Sequence, residues 1–345
     1  MLMKIEELIK KNDTQNQFQV LIDSYRQLEN AWNNKIDLEN ESMKEFNNII
    51  VAGMGGSAIS ADLLKSFLGN ELRISLQVCR DYSLPYYANE NSLVIISSYS
   101  GNTEETISCL EEAIQSGCIV ITVSTGGNVK TLAQENNMPW INLEKGFQPR
   151  YALGVSFFTL LKILQSLSII PNQSEVVDKV KELWKNKGVE YSATENTALT
   201  IAEELVGFIP LIYSSTGLEA VGYRLKCQFN ENSKLHAYNN VIPELNHNEI
   251  IGWETFQDKQ FNAKLITILD KEYHPQIIKR FNITQKLAKK SKVEILTLSS
   301  NENDSKVRIM DLIYLGDWIT YYLSILRDFD PSEIDYIHEL KQHLA

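Results

Sequence analysis

Residues 97–103 read Ser-Ser-Tyr-Ser-Gly-Asn-Thr and follow the apolar run 93–96. Hydroxyls at Ser98, Ser100 and Thr103, together with the free N–H groups of a helix starting at Thr103 or Glu104, make a neutral, donor-rich cup suited to one phosphate dianion. A capping motif is the plainer reading, because Thr103-Glu104-Glu105-Thr106 resembles an N-cap followed by acids in the first turn. Capping alone needs only one of the three hydroxyls. Upstream, "NNIIVAGMGGSA" carries a second apolar run into Gly53, Gly55, Gly56 and Ser57, ahead of a helical stretch ending near Leu68. Strand, glycine turn and helix aim bare backbone N–H groups and a positive helix end at one spot. Gly53, Gly55 and Ala58 satisfy the G-x-G-x-x-G/A spacing of a dinucleotide fold, and Asp81 stands near where a ribose-binding acid is expected. Ser57 serves a small sugar phosphate equally well. The turn alone leaves both open.

The elements that must position these loops alternate. Strands are expected over 74–79, 93–97, 119–123 and 140–143, with helical stretches over 57–68, 103–116 and 128–136. Such alternation predicts a parallel, doubly wound sheet with ligands at the C-terminal ends of its strands. A packing helix over 15–33 precedes it, marked by Phe18, Leu21, Ile22, Tyr25, Leu28 and Trp32. A second series follows: a strand over 210–214, a turn at Gly217, a helix over 218–229, strands over 263–269 and 293–298 with a helix over 275–289 between them, and a long apolar helix over 309–326. Pro331 is expected to open a last short helix. The segment 175–196 is charged, helical or linking, and the region around 172–198 carries no motif. The fold class is α/β with two similar domains, residues 1–155 and 156–345.

Composition narrows the function. At 345 residues, 43% hydrophobic and 22% charged, the chain reads as an ordinary soluble protein with room for two filled cores. Its net charge of −11 argues against nucleic acid, which needs a basic surface, but not against a small anion read by local donors. "MLMKIEELIKKNDTQ" has neither the apolar core nor the cleavage site of a signal peptide, and no 18-residue apolar run suggests a membrane span. Cys79, Cys109, Cys118 and Cys227 form no C-x-x-C pair and fall in apolar segments, which indicates buried, reduced thiols and a cytoplasmic location. The histidines show no metal spacing, so a zinc enzyme is disfavoured and no metal is expected.

A dinucleotide enzyme has no need of the second cup one βαβ unit away. "GMGGSAISA" together with "SSYSGNTEET" resembles the sugar isomerase (SIS) fold, in which these two loops hold a phosphosugar. That resemblance turns the first loop away from NAD and implies no cofactor. Gly55, Gly56 and Ser57 would border the sugar; Ser98, Ser100 and Thr103 would grip its phosphate. Further segments, "GFQPRYALGVSFF", "RLKCQFNENSK", "IPELNHNEIIGW", "GDWITYYLSILRDFDP" and "PSEIDYIHELKQHLA", are similar to the bifunctional phosphoglucose/phosphomannose isomerases from about residue 30 to the C-terminus. The resemblance implies two SIS-type αβα-sandwich domains and an aldose–ketose isomerase acting through a cis-enediol. It implies Glu231 as the base between C2 and C1, His247 and Lys341 as the ring-opening pair, and Arg150 as the cation stabilising the enediolate. It also implies a homodimer in which His247 reaches the neighbour's site.

Taken singly, Glu231 is a solvated helix end, His247 a loop histidine, Lys341 a frayed terminal lysine and Arg150 a pin for an interdomain turn. Their joint occurrence with both loops, in the family's order, favours the catalytic reading. A non-catalytic SIS regulator is the rival from another class, but no basic helical module accompanies the pattern. The isomerase half of glucosamine-6-phosphate synthase would call for a glutaminase domain.

Overall fold

Leu93–Ile96 and Ile119–Val123 are unbroken runs of apolar and β-branched residues with threonine the one polar member, and such runs suit strands covered on both faces. The computed structural model, which describes residues 4–256 and 261–344, places both as interior strands of a parallel sheet. Its strands are β1 (Asn48–Ala52), β2 (Ser75–Cys79), β3 (Ser92–Ser97), β4 (Ile119–Ser124) and β5 (Trp140–Asn142), in the order β2-β1-β3-β4-β5. Every pairing is parallel, with Ala52 level with Cys79 on one side and Ile96 on the other. The helices that follow β1, β3 and β4 are Gly55–Leu68, Glu104–Gln115 and Gly127–Glu135. One core contains Ile50, Val94, Ile96, Val120, Cys109 and Leu110.

This sheet belongs to a unit of residues Asp23–Glu182. It includes helix Leu153–Ser166, buried along most of its length and packed on helices Ser24–Asn33 and Gly55–Leu68. The domain boundary expected at 155/156 therefore falls inside that helix, whose apolar surface is spent within this unit.

The other unit is discontinuous, Met1–Ile22 with Leu183–Ala345. Its parallel sheet has the order β7-β6-β8-β9, formed by β6 (Ile209–Ser215), β7 (Tyr238–Ile242), β8 (Ala263–Leu269) and β9 (Glu294–Ser299). The 22-residue helix Ser305–Leu326 is its spine, buried almost end to end. Trp318 there meets Phe18 edge-on at 5.4 Å between ring centroids, and Tyr314 Oη donates to the Leu21 carbonyl at 2.6 Å. Early and late parts of the chain thus share one core.

Three expectations differ from the structure. The packing helix over 15–33 is two helices, Gln17–Ile22 and Ser24–Asn33, and the division between the units falls between them. Strand β7 is an addition; its Tyr-Asn-Asn start has little strand character, and pairing with β6 along one edge creates it. Pro331 opens no helix: the last one is Asp335–Leu344, four residues on.

Candidate active site

The candidate phosphate loops leave β1 and β3, neighbours from which the strand order runs outward in opposite directions. That reversal opens a crevice at the strands' C-terminal ends. The loops are in contact. A Cβ on Gly53 would stand 2.7 Å from the Ser97 carbonyl oxygen, so only hydrogen fits there. Tyr99 N–H donates to Ser57 Oγ at 3.2 Å, tying the buried Ser57 to the second loop. Within that loop Ser98 Oγ lies 3.0 Å from Thr103 Oγ1 and accepts from Gly101 N–H at 3.1 Å, while Ser100 Oγ accepts from Asn102 N–H at 3.2 Å.

Thr103 holds the N-cap position of helix Glu104–Gln115, yet no side chain caps that end. Its hydroxyl is turned to Ser98, not to the backbone, so the capping motif is not formed. The start of helix Gly55–Leu68 likewise has no side-chain cap. First-turn N–H groups need a partner from outside the helix, and water or an anion can supply it. Ser98 is buried, Thr103 half-buried and Ser100 exposed, so the three hydroxyls stand at different depths.

Arg150 joins this cluster through its backbone. A Cβ on Gly56 would meet the Pro149 carbonyl oxygen at 2.8 Å, so the short turn Pro149–Tyr151 rests on the start of helix Gly55–Leu68. Gln27 Nε2 holds the turn by donating to the Tyr151 carbonyl at 2.9 Å. Arg150 itself is 3% exposed, its guanidinium carbon 5.5 Å from the Tyr151 ring centroid. Gly55, Gly56, Ser57, Ser98, Ser100, Thr103 and Arg150 therefore share one unit.

Glu231, His247 and Lys341 belong to the other unit. Glu231 is the last residue of helix Glu219–Glu231 and is half-buried. That helix is moored to Ser305–Leu326 by a polar set that sequence reasoning missed. Arg224 Nη2 donates to both Asp317 carboxylate oxygens at 2.9 and 2.8 Å, and Gln228 Nε2 donates to Asp317 Oδ1 at 2.8 Å. Beyond Glu231, Asn232 Nδ2 donates to Thr320 Oγ1 and Ser233 Oγ to the Thr320 carbonyl. Burial pushes the Asp317 carboxyl upward against the pull of Arg224 and Gln228. An aspartate among the apolar residues 312–319 was the available signal, since a buried charge must be paired.

His247 ends the short turn Glu244–His247 and is exposed. Two residues on, the Glu249 carboxylate accepts from Tyr213 Oη and Asn240 Nδ2, holding the segment to β6 and β7. Burial, aided by Glu249, keeps the Tyr213 phenol well above its ordinary range. Lys341 lies exposed on helix Asp335–Leu344, which buries none of its own residues. Among the described residues no group of three or more His, Cys, Asp or Glu is placed to hold a metal ion, and no helix is long and apolar enough to cross a membrane.

Residues 194–344 match the family described as the bacterial phospho-glucose isomerase C-terminal SIS domain. The chain is 37% identical over 311 residues to the bifunctional phosphoglucose/phosphomannose isomerase of Caldicellulosiruptor bescii, covering 89% of this chain and 92% of that protein. The chain belongs to the bifunctional phosphoglucose/phosphomannose isomerase family. The family member from Thermoplasma acidophilum is 34% identical over 304 residues, covering 87% of this chain and 90% of its own. A solved glucose-6-phosphate isomerase like protein from Thermus thermophilus shares the fold, with a TM-score of 0.63 at 16% identity over 99% of both chains.

Proposed function

We propose that this bifunctional isomerase family member interconverts glucose 6-phosphate and mannose 6-phosphate with fructose 6-phosphate by a cis-enediol proton transfer. The observation that carries the reading is the locked pair of loops after β1 and β3, whose neutral donors converge at two helix starts free of side-chain caps. Unit Asp23–Glu182 supplies the phosphosugar cradle, with Gly55, Gly56 and Ser57 along the sugar and Ser98, Ser100 and Thr103 at the phosphate. The buried Ser98 acts there by shaping the loop, leaving Ser100 and Thr103 nearer to solvent.

Four side chains carry the chemistry. The C2 hydrogen of an aldose phosphate is weakly acidic, so its removal needs a fixed base and a cation for the oxyanion that develops. Glu231, on a helix held by Arg224 and Asp317, takes the proton and returns it to C1; Arg150 balances the charge. His247 and Lys341 open the ring, one hydrogen-bonding the ring oxygen and the other the anomeric hydroxyl. The functional unit is a homodimer in the cytoplasm, with His247 completing the partner's site.

Incubating the protein with fructose 6-phosphate, without nicotinamide cofactor or added metal, should yield both aldose phosphates. Absence of both products overturns the reading. For the shared site, mixing inactive Glu231→Gln and His247→Ala protomers should restore partial activity, because some sites then hold both intact groups. Demonstrated subunit exchange with no recovery refutes it.

A further inference from the structure

Cys79, the last residue of β2, and Cys109, in helix Glu104–Gln115, bring their sulfurs to 3.9 Å inside the first unit's core. Each thiol has a second task. Cys79 donates to the Ser83 carbonyl at 3.1 Å and Cys109 to the Asp81 carbonyl at 3.2 Å, so the two S–H groups pin the loop that follows β2. The same loop is held by Ser108 Oγ on the Tyr82 carbonyl at 2.7 Å and by Glu112, which accepts from Leu84 N–H at 2.8 Å. Residues 80–83 are exposed, so a loop at the surface is fastened directly to both thiols.

We propose that Cys79 and Cys109 are a redox pair, oxidised by hydrogen peroxide to an intramolecular disulfide that releases the loop at residues 80–84. The Cys79 thiolate attacks one peroxide oxygen, breaking the O–O bond; the sulfur becomes a sulfenic acid and the departing oxygen leaves as water after gaining a proton. The Cys109 sulfur then attacks the Cys79 sulfur. The S–S bond forms, the S–O bond breaks, and the hydroxyl leaves as a second water with the Cys109 proton. Two thiols have lost two electrons and one peroxide has gained them.

The order of attack follows from the environment. When Cys79 ionises, the Cys109 S–H turns toward it, which lowers the Cys79 thiol and raises that of Cys109. Burial raises Cys118 and Cys227 instead, so of the four cysteines Cys79 is the favoured nucleophile. A metal is a poorer occupant. Two sulfurs make half a tetrahedral set, and among the described residues no third ligand joins them.

The full chain is treated with hydrogen peroxide, its remaining thiols are alkylated after denaturation, and peptides are mapped following trypsin and a glutamate-specific protease. Cleavage after Glu111 or Glu112 separates Cys109 from Cys118. The expected product is a Cys79–Cys109 cross-link, absent after dithiothreitol, with Cys118 and Cys227 still alkylated. Amide hydrogen exchange over 80–84 should rise several-fold in the oxidised form, since two carbonyl contacts are gone. Cys109→Ser should accumulate oxidised Cys79 with no cross-link; the mapping of the unsubstituted protein stands even if that variant does not fold. Four alkylatable thiols after peroxide, or oxidation without this cross-link, overturns the proposal.

Discussion

The two units repeat one piece of architecture and place their candidate residues at opposite ends of it. In Asp23–Glu182, β1 passes through a glycine turn into helix Gly55–Leu68, and the candidate site residues crowd the helix start. In the second unit, β6 passes through Thr216–Leu218 into helix Glu219–Glu231, and the candidate base is the last residue, at the other end. Glu219 occupies the first turn there, so an acid already sits at the positive helix end. The proposed phosphate cradle is built from closely packed backbone, with glycines at Gly53 and Gly56 where a Cβ would strike the Ser97 or Pro149 carbonyl. A base that moves a proton must be held still, and the buried mooring of Arg224, Gln228 and Asp317 suits the role proposed for Glu231. On the proposed reading, one motif serves two tasks according to which end is kept neutral and which is braced.

The largest effect should come from Glu231→Gln, which keeps size and hydrogen bonding but cannot take a proton. A loss of about 10²–10⁴ in kcat is expected for both aldose phosphates, with substrate still bound and C2 hydrogen exchange in deuterated water abolished. Near-normal turnover would take the base away from that helix end. Asp317→Ala should come next, costing about 3–5 kcal/mol of stability because Arg224 stays buried without its counter-charge. Denaturant titration reads this, and a change under about 1 kcal/mol would show that the mooring is not needed.

Ser100→Ala with Thr103→Val sharpens the other half of the comparison. Hydrogen bonds to a charged group contribute about 1.5–3 kcal/mol each, so KM for fructose 6-phosphate should rise at least about tenfold with little change in denaturation midpoint. An unchanged KM would place the phosphate elsewhere. The smallest effect belongs to Tyr314→Phe, which removes the hydrogen bond to the Leu21 carbonyl and should cost about 1 kcal/mol without altering kcat. A kcat loss there would tie the terminal helices to the chemistry.

What the sequence discloses follows from which interactions are local. The parallel strands are readable because a strand covered on both faces must be apolar throughout, as 93–96 and 119–121 are. The loops are readable because close backbone approach and anion donors demand particular residue types within a few positions. Strand β7 is not, since its Asn-rich start is drawn into the sheet by a neighbour and not by its own preference. Nor is the Arg224–Asp317 pair, whose members are 93 residues apart and declare only that each needs a partner. Glu231, His247 and Lys341 are ordinary residue types at ordinary positions; only likeness to a family singles them out.

The split of one unit between early and late parts of the chain sets an order of events during synthesis. Asp23–Glu182 is continuous and has all its strands once the ribosome has passed them, so it can close its core early. Helices Ile5–Asn12 and Gln17–Ile22 emerge before it but have their partners in Ser305–Leu326, made nearly three hundred residues later. Phe18 and Leu21 must wait through most of translation for Trp318 and its neighbours. These helices are made early and buried late, and their apolar faces stay exposed to chaperones and to other chains through most of the chain's synthesis.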